Sequence, residues 1–226
     1  MTKITKQIIA TSVVLLLFIA LFEFSTIDTW VQDYFYHADL HQWLLKKDAE
    51  IPRLIFYDGI KRLIILSVIV TLVGSLLFRK SSLVQEYREG LLIVVLAAIF
   101  VPLLIGALKA TTNIPCPNDL KHYGGTYPHI TLLTSYPQNF VQTENIRCYP
   151  AGHASGGFAL LSLVFLFKTK RNKVIATASA LSIGWSMGLY KMLIGDHFLS
   201  HTIVTMLLAW LTILVVRKGV YSISNN

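Results

Sequence analysis

Six apolar runs divide the chain: Ile8–Phe24, Leu63–Phe78, Leu91–Leu108, His153–Phe167, Val174–Leu189 and Phe198–Val216. Each is apolar all round rather than along one stripe, the pattern of a helix with apolar surroundings on every side. Crossing a hydrocarbon core of about 30 Å takes about 20 helical residues, with about 17 as a working minimum. Several runs sit at or under that length, so their ends must draw in polar flanking residues. Six such helices in a soluble bundle would leave too little polar surface to face water. The pattern therefore predicts an all-α integral membrane protein with six transmembrane helices, one domain over residues 1–226.

The segments between the runs set the orientation. Lys3 and Lys6 precede the first run, and Arg79, Lys80 and Arg88 separate the second from the third. Lys168, Lys170, Arg171 and Lys173 separate the fourth from the fifth, and Arg217 and Lys218 follow the sixth. On a six-helix path all four segments fall on one side, and short basic segments mark the cytoplasm. Both termini are then cytoplasmic. In a bacterial inner membrane the opposite, periplasmic or exterior side carries residues 25–62, 109–152 and a brief turn at 191–197. Lys3 and Lys6 before an apolar stretch also suit a signal peptide, but Glu23-Phe24-Ser25-Thr26 offers no small-x-small cleavage site, so an uncleaved helix is expected. Within 25–62, Trp30, Val31, Tyr34, Phe35, Leu40, Trp43, Leu44 and Leu45 recur at near-helical spacing, predicting one or two amphipathic helices at the periplasmic interface.

Composition narrows the partners. Charged residues make up 14% of the 226, against about 25% in soluble domains. The net charge of +8 is spread in helix-flanking clusters rather than along one face, so membrane lipids and not nucleic acid are the expected partners. Two cysteines are too few for a disulfide scaffold and lack Cys-x-x-Cys spacing. His37 and His41 stand four apart with no third ligand nearby, which reads as a solvated helix face.

The residues with chemistry gather on the outer side. One connection opens with Lys109-Ala-Thr-Thr-Asn-Ile-Pro-Cys-Pro117 and closes with Arg147-Cys-Tyr-Pro-Ala-Gly-His153-Ala-Ser-Gly-Gly157. The brief turn reads Tyr190-Lys191-Met-Leu-Ile-Gly-Asp196-His197-Phe-Leu-Ser-His201. Together they bring Lys109, Arg147, His153, Lys191 and His197 to one membrane face, where ionisable groups are functional candidates by default. Gly152 and its neighbours expose the free N–H groups of a helix start, an anion cradle, and lysine or arginine would add charge-assisted contacts to phosphate oxygens. Two histidines facing one phosphate allow attack by one and protonation of the leaving group by the other, a scheme that needs no metal or other cofactor.

These three stretches resemble the signature motifs of the type 2 phosphatidic acid phosphatase superfamily, a group of membrane lipid phosphatases and acid phosphatases. The first motif is Lys, six residues, Arg, Pro; Lys109 and Pro117 match and Cys116 stands in place of Arg. The second is Pro-Ser-Gly-His; Pro150-Ala151-Gly152-His153 differs only at Ala151. The third is Ser-Arg, five residues, His, three residues, Asp; Tyr190 and Lys191 replace Ser-Arg, His197 matches, and His201 replaces Asp. Cys-Pro-x-Asp-Leu, Cys-x-Pro-Ala-Gly-His and Gly-x-His-Phe-Leu-Ser-His are similar to a bacterial subgroup. The resemblance spans residues 60–216 and implies catalytic roles for His197 as the nucleophile that forms a phosphohistidine, His153 as the general acid, and His201 as the partner orienting His197. It implies phosphate contacts from Lys109, Lys191 and Gly152, with Arg147 substituting for the missing arginine. The implied substrate is a phosphorylated lipid at the outer leaflet, a phosphate or diphosphate monoester. Hydrolysis and phosphotransfer share the intermediate and differ in whether water or another hydroxyl attacks it. If the motifs converge on one site, Cys116 and Cys148 are brought together on the oxidising side, and a disulfide is expected.

Two other classes stay open on the residues alone. His197 and His201, with Asp196 or His153, have spacing that suits zinc, although lysine-rich surroundings disfavour a cation. A non-catalytic lipid-binding or transport protein would share the topology, although transporters place charge near the midplane and these helix interiors are almost free of it.

Overall fold

A computed structural model describes residues 2–224. Its long helices are α1 (Lys3–Glu23), α4 (Ile60–Leu77), α5 (Ser82–Thr111), α7 (Lys170–Leu193) and α8 (Leu199–Ser224). Shorter pieces are α2 (Ile27–Asp33), α3 (Glu50–Arg53) and α6 (Gly152–Ala159). Three of the long helices begin with a hydroxyl cap. The Thr2, Ser81 and Thr169 side chains accept from the backbone N–H groups of Thr5, Val84 and Asn172, satisfying donors that a helix start leaves free.

Among the described residues, four helices are long and apolar enough to cross a membrane: Lys3–Glu23, the continuous run Glu50–Leu77, Ser82–Thr111 and Leu199–Ile223. Two of the six apolar runs take another form. Residues 153–167 give eight residues of α-helix in α6 and then a six-residue 3-10 helix, Leu160–Phe165, about 24 Å in all. The fifth run lies in α7, which is long enough, but it opens with Lys170, Arg171 and Lys173 and intersperses Thr177, Ser179, Ser182 and Ser186 among its apolar positions.

The segment between the first two runs is helical only in part. Helix α2 lies where an amphipathic helix is expected, but Tyr36–His37 (β1) and Gln42–Trp43 (β2) pair antiparallel as a small hairpin, Tyr36 opposite Trp43. The reason is packing across strands. Tyr36 and Trp43 stand side by side and both meet the Tyr123 ring at centroid distances of 5.1 Å, which helical spacing would not allow. His41 is the left-handed turn residue of this hairpin, and His37 and His41 are exposed on it rather than on a helix face. The second apolar run extends back to Glu50, because Pro52 falls in the first helical turn, where a missing N–H costs nothing. A π turn, Leu54–Gly59, joins α3 to α4.

The interior is built from small residues. Ala97 and Val101 of α5, Ala154 and Phe158 of α6, Ala180 of α7, and Ala209 and Ile213 of α8 form one buried cluster. Close approach matters most where α6 meets α7: a Cβ on Gly157 would lie 2.7 Å from Gly184 Cα. Small residues that admit neighbouring backbones are how helices associate in lipid. The outside is apolar, with Leu16, Leu17, Leu66, Val70, Leu77 and Leu103 exposed, a surface suited to acyl chains rather than water.

The basic segments collect at one end of the bundle. Lys168 pairs with Glu86, and the Arg217 guanidinium lies over the Phe165 ring at 4.5 Å. The long connection 112–151 and the α7–α8 turn lie at the other end.

Candidate active site

The three motif stretches are stitched together at that other end. The disulfide between Cys116 and Cys148 joins the first to the second, with Cα atoms 5.2 Å apart, and the Cys148 N–H donates to the Ile114 carbonyl at 3.3 Å. The Ala151 N–H donates to the His201 carbonyl at 3.3 Å, and the Asn118 N–H to the Gly195 carbonyl at 2.9 Å. Gly195 must be glycine: its φ is +76°, and a Cβ would lie 2.2 Å from Trp43 Cε2 of the hairpin. The chain thus turns out of α7 into Asp196 and His197 against a packed aromatic wall.

Closing a loop with a sequence separation of 32 constrains the unfolded chain by about 3–4 kcal/mol. Protein isolated without reductant is expected to show no free thiol, and reduction is expected to lower its melting temperature. Two freely alkylatable cysteines in folded, unreduced protein would refute the bridge.

Two imidazoles face each other at the centre. His153 stands on the first turn of α6 and His197 just before α8, with ring centroids 5.9 Å apart. Each has one nitrogen engaged. His197 Nδ1 lies 3.3 Å from Nδ1 of His201, and His153 Nε2 lies 3.0 Å from the Tyr57 hydroxyl. The other nitrogen of each, His197 Nε2 and His153 Nδ1, is buried and has no hydrogen-bond partner among the described residues. Buried polar atoms are rarely left so, and the two orphaned nitrogens mark where a bound group would complete the site. Burial, then the neighbouring His201, Lys109, His153 and Lys191, push the His197 pKa well below its ordinary value, so its ring is neutral at physiological pH. For Nε2 to present a lone pair, Nδ1 carries the proton and donates to His201, whose own proton is then on Nε2. His201 in turn meets the Cys148 backbone, and its ring packs edge-on against Tyr149 at 5.0 Å.

The cations are arranged around this pair. Lys109, in the last turn of α5, reaches Gly152: a Cβ on that glycine would be 3.9 Å from Lys109 Nζ. Lys191 is buried and donates to Asp196 at 2.8 Å. Asp196 also takes Lys47 at 3.0 Å and the Asn118 amide at 3.1 Å. Burial works against its ionisation, but the Lys191 and Lys47 contacts outweigh that and hold its pKa below the usual carboxylate value. Asp28, on α2, accepts from the Ser200 N–H at 2.8 Å and so tethers the start of α8 beside His201. Burial raises its pKa to about 6 despite the Ser200 hydrogen bonds.

A cavity of about 460 Å³ opens beside His153, Lys109 and Gly152. Its far wall is apolar, made by Ile64, Ile65, Val68 and Ile69 of α4 against Val94 and Ala98 of α5. His197 is 2% exposed and sits behind His153 rather than on the cavity wall. Arg147 is exposed and does not line the cavity. Tyr57 and Lys61, which the motifs do not include, do line it.

Cys148 Sγ, His197 and His201 offer atoms within 4.8 Å of one another, a cluster with the outline of a metal site. The sulfur is bonded to Cys116 and has no thiolate to give, which leaves two histidines, fewer than the three protein ligands of a catalytic zinc. Of the two further candidate ligands, Asp196 is held by two lysines and the His153 ring by Tyr57.

The PAP2 superfamily model matches residues 90–223. The chain is 23% identical over 204 residues, 88% of each chain, to lipid A 4'-phosphatase of Francisella tularensis subsp. novicida (strain U112). No solved structure matches it.

Proposed function

The chain belongs to the PAP2 superfamily, and from that premise we propose that it is a membrane phosphatase that removes a phosphate group from a lipid through a phosphohistidine on His197. The observation that carries the proposal is the pair of facing histidines, each with one engaged and one orphaned buried nitrogen. His197 Nε2 attacks phosphorus, His153 protonates the departing oxygen, and water then releases phosphate from His197. Lys109 and Lys191 hold phosphate oxygens beside the Gly152 backbone. The apolar wall of the cavity takes the lipid's hydrocarbon. In this reading all six apolar runs cross the membrane, the basic end of the bundle is cytoplasmic, and the site faces the periplasm or exterior of a bacterial inner membrane. Arg147 stays a candidate for phosphate contact only if its exposed stretch moves inward on binding.

The test is phosphate release by purified protein from a panel of phosphatidate, phosphatidylglycerophosphate, polyprenyl diphosphate and phosphorylated lipid A. The Francisella relative makes lipid A the first to try. Release that persists in chelator and is inhibited by vanadate is expected; no release from any of them contradicts the proposal.

His201, where the family carries Asp, should behave as the partner that orients His197. His201→Ala is expected to lower turnover by about tenfold or more, the equivalent of the orienting hydrogen bond lost from His197, while His201→Asp, which restores a carboxylate acceptor, keeps substantial activity. Full activity in His201→Ala would remove His201 from the site.

A further inference from the structure

Tyr57 lies 96 positions from His153 in sequence, outside every motif, yet it makes the one hydrogen bond that the described residues give the His153 ring. It sits on the π turn Leu54–Gly59, a geometry found mostly as single-turn insertions and frequently at functional sites. The turn is braced from within by Arg53 and Asp58, 3.3 Å apart. The Tyr57 ring lies 4.8 Å from the His153 ring and takes the Lys191 ammonium over its face at 4.5 Å. Its neighbour Phe56 stacks on Tyr190 at 6.2 Å. Three separate elements, the π turn, the end of α7 and the first turn of α6, therefore meet around one phenol. Among the described residues the ring of His153 has no other hydrogen-bond partner, and its Nδ1 is buried and unpartnered.

We propose that Tyr57 is a positioning residue for proton transfer by His153: its hydroxyl oxygen accepts the Nε2–H and thereby assigns the transferable proton to Nδ1. An imidazole offers two nitrogens, and which one exchanges a proton is set by the hydrogen bond of the other. With Nε2–H directed at Tyr57, a second proton, taken up from water as the phosphate dianion binds, sits on Nδ1 of the imidazolium; breaking that Nδ1–H bond forms the O–H bond of the departing alcohol and leaves a neutral ring. That ring keeps its Nε2–H on Tyr57 and presents an Nδ1 lone pair, the form needed to take a proton from the attacking water in the second half-reaction. The Lys191 ammonium over the ring fixes the phenol's angle without competing for its oxygen.

The inference rests on the phosphatase reading, and its test separates the two. Tyr57→Phe keeps the ring, the stacking and the Lys191 contact and removes only the hydroxyl. It is expected to slow release from a lipid alcohol, a poor leaving group, by about tenfold or more, toward the usual worth of general acid–base catalysis. Release from a nitrophenyl phosphate should change by less than twofold, and Tyr57→Phe should add no further loss in a His153→Ala background. An equal loss on both substrates, additive losses in the double variant, or full activity on the lipid would each overturn the inference. A second readout does not depend on turnover. In ring-¹⁵N-labelled protein, Tyr57→Phe should move the His153 tautomer signal, identified by its disappearance in His153→Ala. An unmoved signal overturns the positioning role, whereas a moved signal in a protein that releases no phosphate overturns the phosphatase reading alone.

Discussion

His197→Ala is expected to reduce lipid phosphate release to below a few per cent of wild type while the protein remains folded. The ring is neutral at pH 7, held so first by burial and then by the positive and imidazole groups around it. Its Nδ1 is tied to His201, so Nε2 is the nitrogen with a lone pair to spend on phosphorus. Lys191 is tied to Asp196, and His153, the other ring with an unengaged nitrogen, is assigned the proton transfer. Folding should survive because α8 is tethered independently through Asp28 to the Ser200 N–H and packed through Ala209 and Ile213. The chief loss is one buried hydrogen bond, worth about 1 kcal/mol. Release measured alongside a melting curve decides the matter. Substantial turnover in a folded variant removes His197 as nucleophile, and the depressed pKa adds a further check. The nucleophile should stay unprotonated as pH falls from 7.5 to 6, so its ring should impose no acidic limb over that range.

His153→Ala should slow the same reaction by about 10²–10⁴, the range for loss of a general acid. The size of the loss must depend on the leaving group. A lipid alcohol needs a proton as it departs, whereas a nitrophenolate leaves without one, so the deficit should shrink on nitrophenyl phosphate. Equal losses on both substrates would assign His153 to phosphate binding, a role its position beside Lys109 and Gly152 on the cavity wall would also permit. Comparing kcat/KM for the two substrates in wild type and variant provides the measurement.

Much of this site was legible before the fold was known, and the misses share a cause. Lys109, Gly152, His153, Lys191 and His197 stand at motif spacings, and the structure brings them to one end of the bundle. Cys116 and Cys148 pair, as their places beside converging motifs implied. Arg147 reads as a substitute for the missing arginine because it stands six residues before His153, but it is exposed while Cys148, Tyr149 and Pro150 beside it are buried. Residues 36–43 read as helical because Leu40, Trp43 and Leu44 recur three and four apart, as on a helix face. A hairpin places its first and last members side by side just as well, and the partner that decides between them, Tyr123, is some 80 residues away. Tyr57 was invisible for the same reason: it belongs to no periodic pattern, and its contact with His153 exists only once two distant helices meet. The π turn compounds this by shifting the phase of the helix at the residue in question. Asp196 read as a possible metal ligand; its bonds to Lys191, Lys47 and Asn118 come from three segments that the sequence does not place together.

The most direct test of the account is to look for the covalent intermediate. Protein turning over a lipid substrate carrying ³²P in the labile phosphate, quenched rapidly under denaturing alkali, is expected to retain label on the peptide that contains His197. That label should be stable to base, lost in acid, and absent from His197→Ala. Label recovered on another residue, or none recovered while the enzyme is turning over, would contradict a phosphohistidine at His197.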